Sequence, residues 1–188
     1  SLYTNTMDEF LEAMAETAKP AYMKKMFFVD GGGLAVENAL KTAFDWKFRK
    51  NLEKGVRIDE NEMKIIHFKQ AFHGRTGYTL SLTNTSDPRK YMYFPKFDWP
   101  RITNPKAIFP LEGENLKKTI ESEKIACKEI LEACEKYGNQ IAGLIIEPVQ
   151  GEGGDNHFRK EFIQELRKFA DKYEFLLIFD EVQAGGGL

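Results

Sequence analysis

The fold is decided by one stretch, Phe175-Leu176-Leu177-Ile178-Phe179-Asp180-Glu181-Val182-Gln183, in which an unbroken apolar run stops on two carboxylates and an amide. A short apolar run that follows a helix-period segment is typical of a central strand of a mainly parallel sheet, buried on both faces. Ligands of open α/β sheets bind beyond the carboxyl ends of such strands. We therefore expect Asp180 and Gln183 to meet a bound molecule. The alternative is that Asp180 only caps the turn or helix that follows.

Strand and helix patterns alternate along the rest of the chain. The other strand candidates are residues 26–29, Lys64–Phe68 and Ile141–Ile146. Segments with helical spacing of apolar residues are 6–18, 36–48, 114–137 and 162–173. This alternation predicts an α/β fold with three α/β/α layers around a mainly parallel sheet. Residues 26–68 would form one right-handed crossover unit of strand, glycine loop, helix and strand.

The composition excludes several classes of protein. With 42% hydrophobic and 30% charged residues, the chain resembles a globular domain. Its formal net charge is -2, and Lys and Arg are scattered, so the basic surface of a nucleic-acid-binding protein is absent from the sequence. No apolar run approaches the ~20 residues of a membrane span. We expect a cytoplasmic domain that binds neither nucleic acid nor a membrane.

The cysteines and histidines predict neither a disulfide nor a metal site. Cys127 and Cys134 are seven residues apart in a predicted helix, which places their Cα atoms about 10 Å apart. That separation exceeds the reach of a disulfide, so both are expected to be packed thiols. His67, His73 and His157 lack the spacing of metal ligands.

The glycine run Gly31-Gly32-Gly33 stands between a strand candidate and a helix start. The free N–H groups and dipole of a helix N-terminus favour an anion, and glycines let a phosphate approach the backbone closely. The spacing is neither the dinucleotide fingerprint nor a P-loop. The alternative is a tight turn that only needs a positive φ.

Two further loops follow predicted strands. Phe72-His73-Gly74-Arg75 combines an aromatic ring, an imidazole and a guanidinium, which suits a stacked planar ring beside an anionic group. Arg75 alone also fits an ordinary ion pair. In the second loop, glycines flank Glu152, which suits either a flexible loop or a carboxylate that moves with the substrate.

These motifs resemble, in order and spacing, the class III, fold type I, pyridoxal-phosphate aminotransferases. The matching stretches are residues 28–41, 72–75, 147–153 and 179–183. The sequences of residues 34–38, 78–85 and 94–101 are most similar to those of family members that move the ε-amino group of L-lysine to 2-oxoglutarate. Members that act on ornithine or 4-aminobutyrate are the near alternative.

The resemblance implies a role for each cofactor-binding residue. Gly32 and Gly33 would hold the phosphate of pyridoxal 5'-phosphate through their backbone N–H groups. Phe72 would stack on the pyridine ring. Asp180 would pair with the protonated ring nitrogen and so act in catalysis. Gln183 would bond the phenolic oxygen of the ring or the substrate.

The resemblance also implies how substrates bind. Arg75 would hold the α-carboxylate of the amino acid. Glu152 would separate lysine from the 2-oxo acid by masking or releasing a second arginine. The complete protein would be a homodimer, and the aromatic loop 83–99 would be either a lip of the dimer or active site, or a cover of the core.

The chain also departs from the family, which usually has a Schiff-base lysine one strand further on. No lysine follows Lys172 in the 188 residues. We expect residues 1–188 to be a partial cofactor-binding large domain, truncated at both ends, without the small domain and inactive by itself. A truncated domain that only binds ligands or partners is the non-enzymatic alternative.

Overall fold

Among residues 4–185, six strands form two sheets. The strands are β1 (Lys64–Phe68), β2 (Arg101–Ile102), β3 (Ile141–Ile146), β4 (Val149–Gln150), β5 (Asn156–His157) and β6 (Leu176–Phe179). The main sheet has the order β2-β1-β3-β6 with all neighbours parallel, whereas β4 and β5 pair antiparallel. The computed structural model describes residues 4–185, so residues 1–3 and 186–188 of the domain predicted from the sequence lie outside it.

Residues 4–185 contain five α-helices. They are α1 (Asn5–Thr17), α2 (Gly32–Glu53), α3 (Thr79–Leu82), α4 (Gly113–Tyr137) and α5 (Lys160–Tyr173). Of these, α2 packs on one face of the main sheet and α4 and α5 on the other. Short 3-10 helices occur at Glu60–Glu62, Pro88–Lys90 and Gly138–Gln140. The observed α2 continues to Glu53, beyond the predicted segment 36–48. Near its end Asn51 is buried, and its Nδ2 atom donates to the Asn139 backbone oxygen at 3.0 Å.

Successive side chains of β3 point to opposite faces of the sheet, and each face has its own core. Leu144 packs with Ile130 of α4 and Leu166 of α5. Ile145 packs on the other face with Leu40 of α2. The three-layer α/β/α arrangement with a mainly parallel sheet is therefore confirmed.

Two strand predictions were wrong in part. Residues 26–29 are not a strand, so the predicted crossover unit does not exist, although the glycine run still leads into α2. The strand β6 is correct in position, but it is the edge of the sheet among residues 4–185 and not a strand buried on both faces. Its last residue, Phe179, is 42% exposed.

The aromatic loop 83–99 divides between the two predicted roles. Trp99 is buried in the core and its ring stacks on Phe97, with centroids 4.9 Å apart. Tyr93 and Phe94 are exposed, and Tyr93 is 91% accessible. The loop thus covers the core at one end and presents two aromatic rings at its tip.

The cysteines behave as predicted, since Cys127 and Cys134 both lie in α4 as free thiols. Burial raises the pKa of each thiol to about 11. Within residues 4–185, no helix is both long and apolar enough to cross a membrane.

Candidate active site

The carboxyl ends of three parallel strands meet at one edge of the sheet. The loop after β1 carries Phe72 and His73, Glu147 directly follows β3, and Asp180 directly follows β6. They surround a cavity of about 60 Å³ together with the start of α2. The cavity is lined by Gly32, Gly33, Phe72, His73, Gly74, Glu147, Asp180, Val182 and Gln183. All five residues predicted to bind a cofactor are therefore beside the same cavity.

The glycine run places the N-terminus of a 22-residue helix at this cavity. Gly31 precedes α2 with φ +103, a conformation that favours glycine. A Cβ added at Gly32 would lie 2.7 Å from a methyl carbon of Val182, so the space there does not accommodate a side chain. The first N–H groups of a helix have no partner within the helix, which makes this corner suitable for an anion.

A buried hydrogen bond joins Asp180 to His73. The Asp180 Oδ2 and His73 Nδ1 atoms are 2.7 Å apart, and the two residues are 6% and 2% exposed. The other carboxylate oxygen of Asp180 accepts the Val182 N–H at 3.1 Å. Asp180 therefore caps the turn that follows it and also lines the cavity, so both predicted positions of this residue are observed.

His73 was given no role by the sequence analysis. Its backbone N–H donates to the hydroxyl of Thr83 at 3.2 Å, which fixes the residue. Its Nε2 atom is buried and has no hydrogen-bond partner among residues 4–185. The only signal in the sequence was its place next to Phe72, directly after a strand.

Glu147 is a second buried acid that the sequence analysis did not assign. Its Oε1 atom accepts the backbone N–H of Phe72 at 2.8 Å, which fixes the loop after β1. Burial raises the pKa of the Glu147 carboxyl to about 7, while His73 and the Phe72 amide act in the opposite direction. The carboxyl therefore titrates near neutral pH.

Arg75 and Glu152 are exposed and do not line the cavity, unlike the five predicted cofactor residues. The Arg75 Nε donates to the backbone oxygen of Lys90 at 3.0 Å. Both carboxylate oxygens of Glu152 accept from the Lys90 ammonium at 2.9 Å. The backbone N–H of Glu152 also donates to Gln183 Oε1 at 3.1 Å, which ties Glu152 to the rim of the cavity.

Lys90 was missed, because a lysine in a polar loop is usually a solvated charge. Its ammonium also lies over the Phe72 ring, 5.6 Å from the ring centroid. The residue ends the 3-10 helix Pro88–Lys90 and contacts three predicted site residues, Phe72, Arg75 and Glu152.

Glu37 joins the first turns of α2 to the loop between Phe72 and α3. Its Oε1 atom accepts the Thr76 hydroxyl at 2.5 Å and the Tyr78 N–H at 2.7 Å. The loop between Phe72 and α3 is thus bonded directly to the first turns of α2. Sequence spacing gave no sign of this contact, since the partners are about 40 residues apart.

Among residues 4–185, no group of three or more His, Cys, Asp or Glu side chains is arranged to hold a metal ion. The site instead combines the N-terminus of α2, which suits an anion, with the Phe72 ring and the buried carboxylate of Asp180. The exposed charges of Arg75, Lys90 and Glu152 lie beside it. Chemically it suits a flat anionic molecule that is anchored at one end and approached by charged substrates at the other.

Known aminotransferases have sequences similar to that of this chain. The chain is 46% identical to the L-lysine-epsilon aminotransferase of Mycobacterium tuberculosis over 187 residues, covering 100% of this chain and 40% of that protein. It is 43% identical to the enzyme of the same name from Amycolatopsis lactamdurans, covering 100% and 41%. The human mitochondrial 4-aminobutyrate aminotransferase is 33% identical, covering 97% and 39%.

The fold is also that of a solved relative. A structure of lysine aminotransferase from M. tuberculosis superposes with a TM-score of 0.89 at 46% identity, covering 98% of this chain and 41% of that chain. The chain thus spans about 40% of the length of the curated lysine aminotransferases it matches. A family model described as Aminotransferase class-III matches residues 2–188. With this match over nearly every residue, the resemblance noted in the sequence is confirmed, and the chain belongs to the class-III aminotransferases.

Proposed function

We propose that this chain is the cofactor-binding part of an aminotransferase that moves the ε-amino group of L-lysine to 2-oxoglutarate with pyridoxal 5'-phosphate. Class-III aminotransferases in general use this cofactor. The observation that carries the proposal is the convergence of Gly32, Phe72 and Asp180 on one cavity from three separate parts of the chain.

The residues beside the cavity fit pyridoxal phosphate in three respects. The start of α2 offers backbone N–H groups at glycines, which have no side chains of their own to hinder a phosphate. Asp180 is a buried carboxylate suited to a cationic ring nitrogen. The unpartnered Nε2 of His73 leaves one buried polar atom available for a hydrogen bond with a ligand.

The bound cofactor supplies an electron sink for the substrate carbon that loses its proton. Asp180 would keep the ring nitrogen protonated, because a carboxylate beside a cation favours the charged form. His73 would hold Asp180 in place through its hydrogen bond. Phe72 would pack against the ring, and Gln183 would bond the phenolic oxygen or the substrate.

On the substrate side, Arg75 would bind the α-carboxylate of lysine, which leaves the distal ε-amino group over the cofactor. Only one guanidinium nitrogen of Arg75, Nε, donates to the protein among residues 4–185. Glu152 would discriminate the amino donor from the dicarboxylic 2-oxo acid, because its negative charge repels a second substrate carboxylate until the side chain moves aside.

The similarity to lysine aminotransferases, at 46% and 43% identity, favours lysine as the amino donor over 4-aminobutyrate, for which the similar protein is 33% identical. We further propose that residues 1–188 form part of a large domain. No lysine follows Lys172 in this chain, so transamination would need the complete protein. We propose a cytoplasmic homodimer, with the exposed rings of Tyr93 and Phe94 near its interface.

The test uses the complete protein with added pyridoxal phosphate. We expect a visible absorption band from the bound cofactor, a shift of that band on adding L-lysine, and its return on adding 2-oxoglutarate. Absence of the band would contradict the cofactor assignment. A faster shift with ornithine or 4-aminobutyrate than with lysine would contradict the assigned amino donor.

A further inference from the structure

We propose that Glu147 acts as a neutral carboxylic acid, a positioning residue that holds Phe72 beside the cofactor ring and leaves Asp180 as the buried negative charge that meets the ring nitrogen. This inference rests on the proposed function, because it concerns the cofactor of the same site. It gives a role to the second buried acid of the cavity, which the sequence motifs left without one.

Two buried acids share the cavity. Glu147 follows β3, Asp180 follows β6, and the two residues are 4% and 6% exposed. Both line the same space of about 60 Å³. Apart from His73, none of the described residues that line this space has a basic side chain. One imidazole cannot compensate two buried carboxylates, so one of the acids is expected to hold a proton.

The hydrogen bonds indicate which acid holds the proton. Asp180 is bonded through both carboxylate oxygens, to His73 Nδ1 at 2.7 Å and to the Val182 N–H at 3.1 Å. Within the described part of the chain, Glu147 is bonded through Oε1 alone, which accepts the Phe72 N–H at 2.8 Å. Hydrogen bonds from donors favour the ionised form of a carboxyl group. Asp180 therefore keeps the negative charge, and Glu147 takes the proton.

The surroundings of Glu147 act in the same direction. Burial is the largest effect and raises the pKa of its carboxyl to about 7, and the charges of Asp180 and Glu152 also raise this pKa. The ionisable groups that face Glu147 are His73 from the loop after β1, Asp180 from the end of β6 and Glu152 from the β4–β5 hairpin. His73 and the Phe72 amide lower the pKa by less than burial raises it. The carboxyl is therefore mostly protonated below about pH 7.

A buried acid elsewhere in the fold has the opposite arrangement. Glu123 of α4 is 7% exposed, and both its oxygens accept from the Arg159 guanidinium at 2.9 Å. Buried carboxylates that stay charged usually have such a partner. Among the residues that line the cavity of Glu147 within 4–185, no arginine or lysine occupies the corresponding position.

A neutral carboxyl can position Phe72 without adding charge to the cavity. Its carbonyl oxygen accepts the Phe72 N–H and so holds the residue that is predicted to stack on the ring. An ionised Glu147 would be a second anion beside a cationic ring nitrogen and would compete with Asp180 for it. The protonated form leaves that interaction to Asp180.

The first test compares Glu147→Gln with Glu147→Met in the complete protein. Gln keeps a carbonyl oxygen without a charge, as the neutral acid does, whereas Met keeps the length of the side chain and loses the oxygen acceptor. Glu147→Gln is expected to bind pyridoxal phosphate within about 3-fold of the wild type. Glu147→Met is expected to bind it about 10-fold more weakly, because the Phe72 N–H loses its partner. Absorbance titration of the cofactor-free protein measures both affinities.

Infrared difference spectroscopy detects the proton itself and does not depend on turnover. At about pH 6, ordinary aspartates and glutamates are ionised. The wild type minus Glu147→Gln spectrum is expected to contain the carbonyl band of a protonated carboxylic acid, with and without the cofactor. In the cofactor-free protein this band should disappear as the pH rises through about 7. Glu135→Gln, at an exposed position of α4, should leave the band in place.

The proposal is overturned if the band is absent at about pH 6, or if Glu147→Gln weakens cofactor binding as much as Glu147→Met does. Wild-type affinity in Glu147→Met would also overturn it. Circular dichroism reports whether each variant folds, and the infrared comparison decides the question without Glu147→Met. Failure of the proposed function has a different signature, since the wild type would then take up no pyridoxal phosphate while the band of Glu147 remains.

Discussion

The two halves of the candidate site are built differently. On the cofactor side, His73, Glu147 and Asp180 are nearly inaccessible and are held by hydrogen bonds to neighbouring backbone and side-chain atoms. On the substrate side, Arg75 and Glu152 are exposed and are held together through Lys90. Short side chains at strand ends give a fixed geometry, whereas long charged side chains on loops can exchange partners. This difference supports the proposed function, in which one cofactor stays bound and two substrates alternate.

The largest effect on activity is expected from substituting Asp180 on the cofactor side of the site. Asp180→Asn keeps the shape but removes the charge, so a protonated ring nitrogen loses its partner. Removing one member of a buried charge pair costs about 3–5 kcal/mol, which corresponds to a loss of transamination of at least about 100-fold. The rate of amino transfer from L-lysine in the complete protein measures this.

The control for Asp180→Asn is Asp171→Asn on the exposed face of α5, where the same change should have little effect. A wild-type rate for Asp180→Asn would show that this carboxylate does not contact the reacting ring.

The second-largest effect is expected at Glu147, which should make the free energy of unfolding depend on pH. The folded-state pKa of Glu147 is raised to about 7, so the folded protein binds a proton more tightly than the unfolded chain between pH 4.5 and 7. Stability therefore decreases as pH rises through this range, by up to about 3 kcal/mol. Glu147→Gln should remove that part of the pH dependence, measured by urea denaturation of the complete protein at several pH values.

An exposed acid provides the comparison for Glu147. Glu135→Gln on α4 should leave the pH profile of stability unchanged. An identical pH profile for wild type and Glu147→Gln would contradict the expected ionisation.

A smaller effect is expected at the glycine corner. In Gly32→Ala the new Cβ would lie 2.7 Å from Val182, so one of the two segments has to move. Overpacking of this kind typically costs 1–3 kcal/mol, and we expect cofactor affinity to fall by about 10-fold. Cofactor titration followed by absorbance measures the change.

Two variants sharpen the result at Gly32. Gly32→Ala combined with Val182→Ala should recover most of the affinity, because the contacting methyl groups are gone. Gly77→Ala should be neutral, since its Cβ would approach nothing closer than 3.9 Å. If the double variant does not recover cofactor affinity, the contact with Val182 is not the cause of the loss in Gly32→Ala.

The smallest effect is expected on the substrate side of the site, at Arg75. Arg75→Lys keeps the charge but loses the planar fork that binds a carboxylate with two hydrogen bonds. We expect the KM for L-lysine to rise by about 10-fold with a smaller change in kcat. Steady-state kinetics measure this, and Arg49→Lys in an exposed ion pair is the matched control. An equal loss in kcat would place Arg75 in the chemical step.

Local patterns predicted three of the four strands of the main sheet, β1, β3 and β6, but neither the short strand β2 nor the partial exposure of β6. The runs at Lys64–Phe68 and Ile141–Ile146 were correct because each is long enough and flanked by turns. The run at 26–29 failed because four apolar residues do not determine a strand, and Phe28 packs instead edge-to-face on Phe10 of α1 at 5.5 Å. The apolar sequence of β6 likewise indicated burial that the sheet does not provide among residues 4–185.

The site was predicted where motifs follow strands and missed where contacts span the chain. Parallel strand ends placed Phe72 and Asp180 at one edge without any knowledge of the structure. The bond between His73 and Asp180 joins residues 107 positions apart, and that between Lys90 and Glu152 joins residues 62 positions apart. Neither pairing is encoded in local spacing, because each depends on how the loops are arranged in three dimensions.

The carboxylate of Glu37 has a consequence for how the site responds to strain. It bonds the segment after Phe72 to the first turns of α2, so the Gly32 end and the Phe72 end of the cavity are mechanically coupled. A displacement of α2 would carry the loop between Phe72 and α3 with it instead of opening a gap between them. The cavity is therefore expected to keep its length while the charged rim beside it rearranges.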